Sequence, residues 1–251
     1  MERKFRLLRT RIKKSQKQVM DRIIKEHQAD LCLLCGSDTE ITREHVIPQW
    51  AFEAAPDKQL LSTKNNQYTN YIKATIPACK SCNSDLLGAF EDSLKRMLLS
   101  KEPEDISGYD CDFIIWWLQY LGFKLQVMDL RNRFLRYKGK QYVPYLAQIP
   151  VAMFWGDIDT TPNDVFRILR KSRRNLTSKW KDKKYNSLMI FKSKNESFSF
   201  FHKVNEFIFI QMPQMKIAFF FFFNREFEQH EQAHEECMQI IKHVWESDRE
   251  S

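Results

Sequence analysis

No uninterrupted apolar run in this chain approaches the roughly 20 residues that a membrane-spanning helix needs. The longest, Ile217 to Phe223, has the length of a buried strand. The first thirty residues are charged throughout and lack the apolar stretch of a secretory leader. A cytoplasmic location is therefore the expectation, and with no export the cysteines are expected to be reduced rather than paired. Net charge is also missing from most of the chain. Residues 1–27 hold ten Lys and Arg against three Asp and Glu, which is nearly the whole of the formal +8. These absences exclude a helical membrane protein and a disulfide-built scaffold. They leave a soluble globular chain with one concentrated patch of positive charge, the kind of feature that favours an anionic polymer or surface as partner.

Cysteine is present in a pattern. Four of the six lie in two knuckles, Cys32-Leu33-Leu34-Cys35-Gly36 and Cys79-Lys80-Ser81-Cys82-Asn83. A two-residue spacer lets both sulfurs of a knuckle face one ion, and two such pairs close a tetrahedral thiolate site suited to zinc. Between them runs Arg43-Glu44-His45-Val46-Ile47-Pro48-Gln49-Trp50. A loop pinned by zinc brings Glu44, His45 and Asn83 near one another although they are far apart in sequence. Cys111 and Cys237 are expected to be buried.

These three pieces resemble the HNH endonuclease family, the ββα-metal nucleases, in its subgroup with a CxxCG knuckle, an EHxIPxW segment and a CxxCN knuckle. The resemblance covers about the first two fifths of the chain. It implies that His45 is the general base, that Glu44 binds a catalytic divalent ion, and that Asn83, at the start of a helix, is a second ligand. Glu44 stands where Asp is commoner and Asn83 where His often stands. Both choices suit Mg²⁺ or Mn²⁺, which prefer oxygen. Asn65, Asn66 and Asn70 are all candidates for the middle asparagine of the family. Arg43 and Lys80 flank the site and are expected to hold neighbouring phosphates. The implied activity is hydrolysis of phosphodiester bonds in nucleic acid, with DNA the expected substrate. The alternative is a non-catalytic zinc module that binds nucleic acid or protein, and Glu44, His45 and Asn83 alone separate the two.

The expected fold class is α+β, with an N-terminal helix, a zinc-pinned ββα-metal (HNH) domain and a C-terminal antiparallel sheet with flanking helices. Residues 1–27 read as a basic amphipathic arm, with Phe5, Leu8, Ile12, Val19 and Ile23 at helical spacing. The arm either grips phosphates or packs its stripe on the body or on a second subunit. Residues 28–100 form the HNH domain. In it, strands are expected at Arg43–Ile47 and Tyr71–Ile76, with a helical turn at Gln49–Ala55, a loop at 57–70 and a closing helix from Asn83 to Leu99. Glu91, about two turns beyond Asn83 on that helix, either reaches the edge of the site or is an ordinary surface acid, the simpler reading. Residues 101–108 read as a linker, and 109–251 as a C-terminal recognition or assembly domain in which no second catalytic set is found.

Trp116 and Trp117 are expected in its core. A helix from Asn163 runs into a basic cluster that includes Arg170, Lys171, Arg173 and Arg174, interleaved with Trp180, a second candidate for nucleic-acid contact. Strands are expected at Leu188–Lys192, Ser197–Phe201, Glu206–Gln211 and Lys216–Phe223, connected as an antiparallel meander. Five consecutive Phe, from Phe219 to Phe223, fit only a strand covered on both faces. A last helix from Glu226 to Trp245 carries His230, His234 and Cys237 on one side. That spacing can bind zinc, but an amphipathic helix of mixed polarity accounts for it more simply. The N-terminal helix and the C-terminal domain are the surfaces open to a second copy or a protein partner.

Overall fold

The computed structural model describes residues 4, 6–8, 10–11, 32, 34–35, 37–53, 59–62, 67–134, 182–203 and 205–247. Helices mix with antiparallel sheets, an α+β chain. Its first strand, β1 (Ile41–His45), opens with the β-branched pair Ile41 and Thr42. Glu40 turns the chain into it from the left-handed region, at φ 47°, and accepts the Lys80 amide at 3.0 Å.

A short ribbon follows, β2 (Gln59–Ser62) and β3 (Gln67–Asn70), antiparallel with Gln59 opposite Asn70. This corrects the expected loop at 57–70. Leu60, Leu61, Tyr68 and Thr69 pair within polar sequence, and a two-stranded ribbon needs no fully apolar face, so period-two alternation is weak. The next strand, β4 (Thr75–Cys79), lies later than expected because Tyr71–Lys73 form a 3₁₀ turn. Tyr71 is buried against Phe52 and Phe198, with ring centroids 5.4 and 5.2 Å away. β4 pairs antiparallel with β1, Ile41 opposite Cys79 and His45 opposite Thr75. Both strands of this pair are edges, which is where Pro77 is tolerated.

Lys80 leads straight from β4 into a helix. Its first part, Ser81–Gly88, is wound as a π-helix, and it continues as α1 (Ala89–Leu99), with Leu87, Phe90 and Leu94 turned into the core.

Helix α2 (Gly108–Phe134) has 27 residues and is about 40 Å long. It starts at a capping box. The Ser107 amide and hydroxyl donate to the Asp110 carboxylate at 2.8 and 2.6 Å, and the Asp110 amide donates to the Ser107 hydroxyl at 3.4 Å. Residues 113–118 are all buried, as are Tyr120, Leu121 and Phe123. A helix apolar on every side has to be enclosed, and α2 is enclosed by the hairpin-and-helix unit before it and the sheet after it. Trp116 and Trp117 are both core. Trp117 stacks on Trp50 at 5.3 Å and meets Phe219 edge-on at 6.4 Å.

The sheet comprises β5 (Leu188–Lys192), β6 (Ser199–Lys203), β7 (Phe207–Met212) and β8 (Ile217–Phe222), all antiparallel, in the order β5-β8-β7-β6. Strands β6 to β8 form the expected meander, but β5 crosses over to pair with β8 instead of β6. That crossover makes β8 an inner strand with a neighbour on each edge, which its run of Phe requires. Phe219, Phe221 and Phe223 join the core shared with α2. Phe220 and Phe222 pack on the other face with Phe209, under Phe227, Ala233, Cys237 and Ile241. The last three belong to α3 (His230–Ser247).

One apolar core runs from Leu8 and the cysteine knuckles through α2 to Phe223, so the described parts of 28–100 and 109–251 share it. The Gln214 side-chain amide adds a polar tie from the β7–β8 turn to the carbonyls of Trp50 and Ala51, at 2.7 and 3.1 Å. Residues 163–184, with their expected helix and basic cluster, lie mostly outside the described residues.

Close packing generates a test at Gly122. A Cβ there would sit 2.6 Å from the Phe223 ring Cζ and 3.0 Å from Cε1. Gly122→Ala should therefore lower stability in urea unfolding by about 1–3 kcal/mol through overpacking, although Ala is the better helix former by about 1 kcal/mol. Adding Phe223→Leu should recover most of the loss. A neutral or stabilising Gly122→Ala would show that α2 and Phe223 are not in this contact.

Candidate metal centre and the adjoining polar site

Cys32 and Cys35 come from the turn before β1, Cys79 ends β4, and Cys82 lies in the first turn of the following helix. The antiparallel register carries Cys79 back to the level of Ile41, beside that turn. All four sulfurs lie within 4.8 Å of one another, and Cys35 Sγ is 3.6 Å from Cys79 Sγ. A tetrahedral zinc with bonds of about 2.3 Å needs sulfurs about 3.8 Å apart, whereas a disulfide needs about 2.05 Å. The cysteines are free thiols whose spacing fits a shared metal ion.

Their acidity follows from crowding. Hydrogen bonds from the Cys35 and Cys82 thiols pull Cys32 down to about 2. Cys35, giving up its proton next to that thiolate, is pushed up to about 11, and Cys82 is pushed far up by its bonds to Cys32 and Cys35. One thiolate forms readily and makes the next ones costly, so a four-thiolate state calls for a cation at its centre. Zinc is the ion such a set suits.

The N-terminal helical segment reaches this cluster. Leu8 is buried in the core, and the Arg11 guanidinium donates to Ser81 Oγ at 3.1 Å and toward Cys82 Sγ at 3.6 Å. That sulfur contact raises the Arg11 pKa further. Of the two readings of the arm, its described residues pack on the body.

Next to the knuckles lie Glu44, His45 and Asn83, the three residues that separate the two expected functions. Alternation along β1 puts Thr42 and Glu44 on one side. Thr42 is held by its hydroxyl bond to Ala78 O at 2.8 Å, and the Asn83 amide group donates to Thr42 Oγ1 at 2.8 Å and to Arg43 O at 3.4 Å. The fold thus brings Asn83 from the helix onto the strand of Glu44 and His45. His45 is half-buried, with Nε2 at 3.3 Å from the Gln49 side-chain amide nitrogen. Burial lowers its pKa, with Lys124 adding to the effect and Glu44 opposing it. Arg43 and Lys80 are exposed. Asn70 ends β3, while Asn65, Asn66, Arg170, Lys171, Arg173 and Arg174 lie outside the described residues.

Glu44 is only 6 % exposed, and its partner is a residue that the sequence reading passed over. Lys124 of α2 is fully buried and donates to Glu44 Oε1 at 2.6 Å, to the His45 carbonyl at 2.7 Å and to Glu91 Oε1 at 3.4 Å. Burial works against the ammonium, but the two carboxylates outweigh it and raise the Lys124 pKa. Glu91, expected on the surface, is instead 9 % exposed, and burial pushes it up to about 7 against the pull of Lys124. Breaking such a buried set by removing one partner costs about 3–5 kcal/mol.

The signal for Lys124 was present in the sequence. It is the first cation on a helix that carries Arg131 and Arg133 only near its end, the turns beside it are apolar, and such a charge needs a carboxylate. Tyr120, one turn earlier, lies with its ring centroid 5.0 Å from the ammonium, and its buried hydroxyl has no hydrogen-bond partner among the described residues.

On α3, Cys237 is buried in the second core whereas His230 and His234 are exposed. Among the described residues, the four cysteines are the one set of His, Cys, Asp and Glu side chains arranged to hold a metal ion.

Cys79→Ser should lower both melting temperature and zinc content, because metal binding to a closed thiolate set is largely folding energy. Metal analysis of the wild-type chain should give one zinc per chain, and a chelator should reproduce the loss of stability. Full stability in Cys79→Ser would remove the metal from the account of this cluster.

No protein-family model, no curated protein and no solved structure matches this chain.

Proposed function

We propose that the chain is a metal-dependent endonuclease of the HNH type that hydrolyses phosphodiester bonds in nucleic acid, with DNA the expected substrate. The observation that carries the reading is the join between Asn83 and β1. An antiparallel pair, β1 with β4, runs directly into a helix whose third residue is bonded at 2.8 Å to the strand that carries Glu44 and His45. The cysteine cluster lies at the root of the same pair.

In this reading His45 takes the proton from the attacking water. Burial lowers its pKa and so favours the neutral imidazole, the form able to accept a proton. Glu44 and Asn83 offer hard oxygens to Mg²⁺ or Mn²⁺. A divalent ion there supplies positive charge against the phosphate oxygens as the leaving group departs. Arg43 and Lys80 are exposed on either side of the site and would meet flanking phosphates. Zinc on the four thiolates serves folding alone. Residues 109–251 would serve recognition or assembly, with Arg170, Lys171, Arg173 and Arg174 as basic contacts. Work on nucleic acid in the cytoplasm fits the sequence.

One observation favours the other reading, a zinc module without catalysis. The Glu44 carboxylate is engaged by Lys124 at 2.6 Å, and a carboxylate held by an ammonium is a weaker ligand for a second cation. Cleavage decides between them. The wild-type chain should cut plasmid DNA with added Mg²⁺ or Mn²⁺ and stop in EDTA. His45→Ala should cut slower by about 10²–10⁴-fold while keeping its zinc, its melting temperature and its affinity for DNA. Cutting by His45→Ala at the wild-type rate would refute the base assignment. A wild-type chain that binds DNA or RNA and never cuts would favour the zinc module.

A further inference from the structure

Lys124 makes a contact that neutralising a carboxylate does not require. Its ammonium has three donors, and all three are used, on Glu44 Oε1, the His45 carbonyl and Glu91 Oε1. Two of these acceptors lie on consecutive residues at the end of β1, one a side chain and the other main chain. That end of the strand is also held by the core, where Val46 and Ile47 are buried. Past the pairing of His45 with Thr75, the Val46 amide bonds to Ala74 O at 2.8 Å and the chain leaves the ribbon at Pro48. A fully buried lysine on a helix 79 residues downstream therefore ties the Glu44 carboxylate and the His45 main chain to one point. An ammonium on one carboxylate oxygen leaves the lone pairs of the other available.

We propose that Lys124 is a positioning residue of the candidate nuclease site: reaching from α2, it fixes the Glu44 carboxylate and the His45 backbone in the relation that ion binding and proton transfer need. The proposal rests on the nuclease reading. It makes the reaction depend on a helix outside the ββα unit, so the site is complete only when α2 is docked.

The test uses the full-length, zinc-loaded protein with Lys124→Arg and Lys124→Met. Glu91→Leu is added to Lys124→Met if that variant alone does not fold. Lys192→Ala is the control for loss of a lysine, since the Lys192 pair with Glu102, at 2.9 Å, is exposed. Melting and zinc content report the fold, Mn²⁺ titration followed by paramagnetic relaxation reports ion binding, and single-turnover plasmid cleavage across Mn²⁺ concentrations reports the reaction. Lys124→Arg keeps the charge and moves the donors. Folded Lys124→Arg and Lys124→Met should bind DNA as wild type does, differ from it in the Mn²⁺ needed for half-maximal rate, and cleave about 10–100-fold slower at saturating Mn²⁺, the usual cost of losing a partner that orients a metal ligand. Lys192→Ala should match wild type.

Wild-type rate and Mn²⁺ dependence in the folded Lys124 variants would overturn the proposal and leave the nuclease reading standing. A wild-type chain that binds Mn²⁺ but cuts nothing would sink the nuclease reading, and the Mn²⁺ titration of the variants would still decide whether Lys124 sets the site. A wild-type chain that takes no Mn²⁺ would overturn both.

Discussion

Four thiols packed into so small a volume repel one another as soon as a second proton leaves, and the first half of the fold hangs on resolving that repulsion. Without a cation, the turn before β1, the end of β4 and the start of the following helix rely on the β1–β4 ladder and on the apolar core that their buried residues join, and a two-stranded ribbon buries little on its own. With one, the three pieces become a single corner. The register of β1 on β4 and the bond of Asn83 to Thr42 lie directly beside that corner.

The second constraint is a charge inside an oily helix. Lys124 lies among Phe123, Leu125 and Met128, all buried, and is tolerable there because two acids from different elements meet it. Glu44 comes from a strand and Glu91 from α1, so three elements are pinned in register by one ammonium. Such a network specifies geometry more than it adds stability, since an apolar replacement of equal shape can be as stable. The polar cluster thus aligns two parts of the chain that the apolar core merely presses together.

What could be read from the sequence was what local spacing encodes. The knuckles, the helix closing at Leu99 and β5 at Leu188–Lys192 announce themselves through spacing or alternation, whereas β1 spans Ile41–His45, two residues earlier than the strand expected at Arg43–Ile47. The role of Glu91 was hidden because its partner lies 33 residues away on another helix, and an acid on an amphipathic helix looks the same whether it faces water or a buried lysine. The β2–β3 ribbon was hidden by its polar composition. The pairing of β5 with β8 was hidden because neighbours in sequence usually pair, and only the need to cover β8 on both edges breaks that habit here.

The same run of Phe carries a consequence for the chain before it is folded. Phe219 to Phe223 contains no charge, no proline and no glycine, the composition of a segment that stacks on copies of itself when exposed. Its two edges are not covered on equal terms. β7 is joined to β8 by a single 3₁₀ turn, Pro213–Met215, with Lys216 in the left-handed conformation, so that edge closes through a local hairpin. The other edge waits for β5, which lies before β6 and β7 in the chain, and the two faces wait for α2 and α3. Until β5 pairs with it, β8 is open along that side. Self-association during synthesis or refolding is therefore a hazard built into the order in which β8 finds its neighbours.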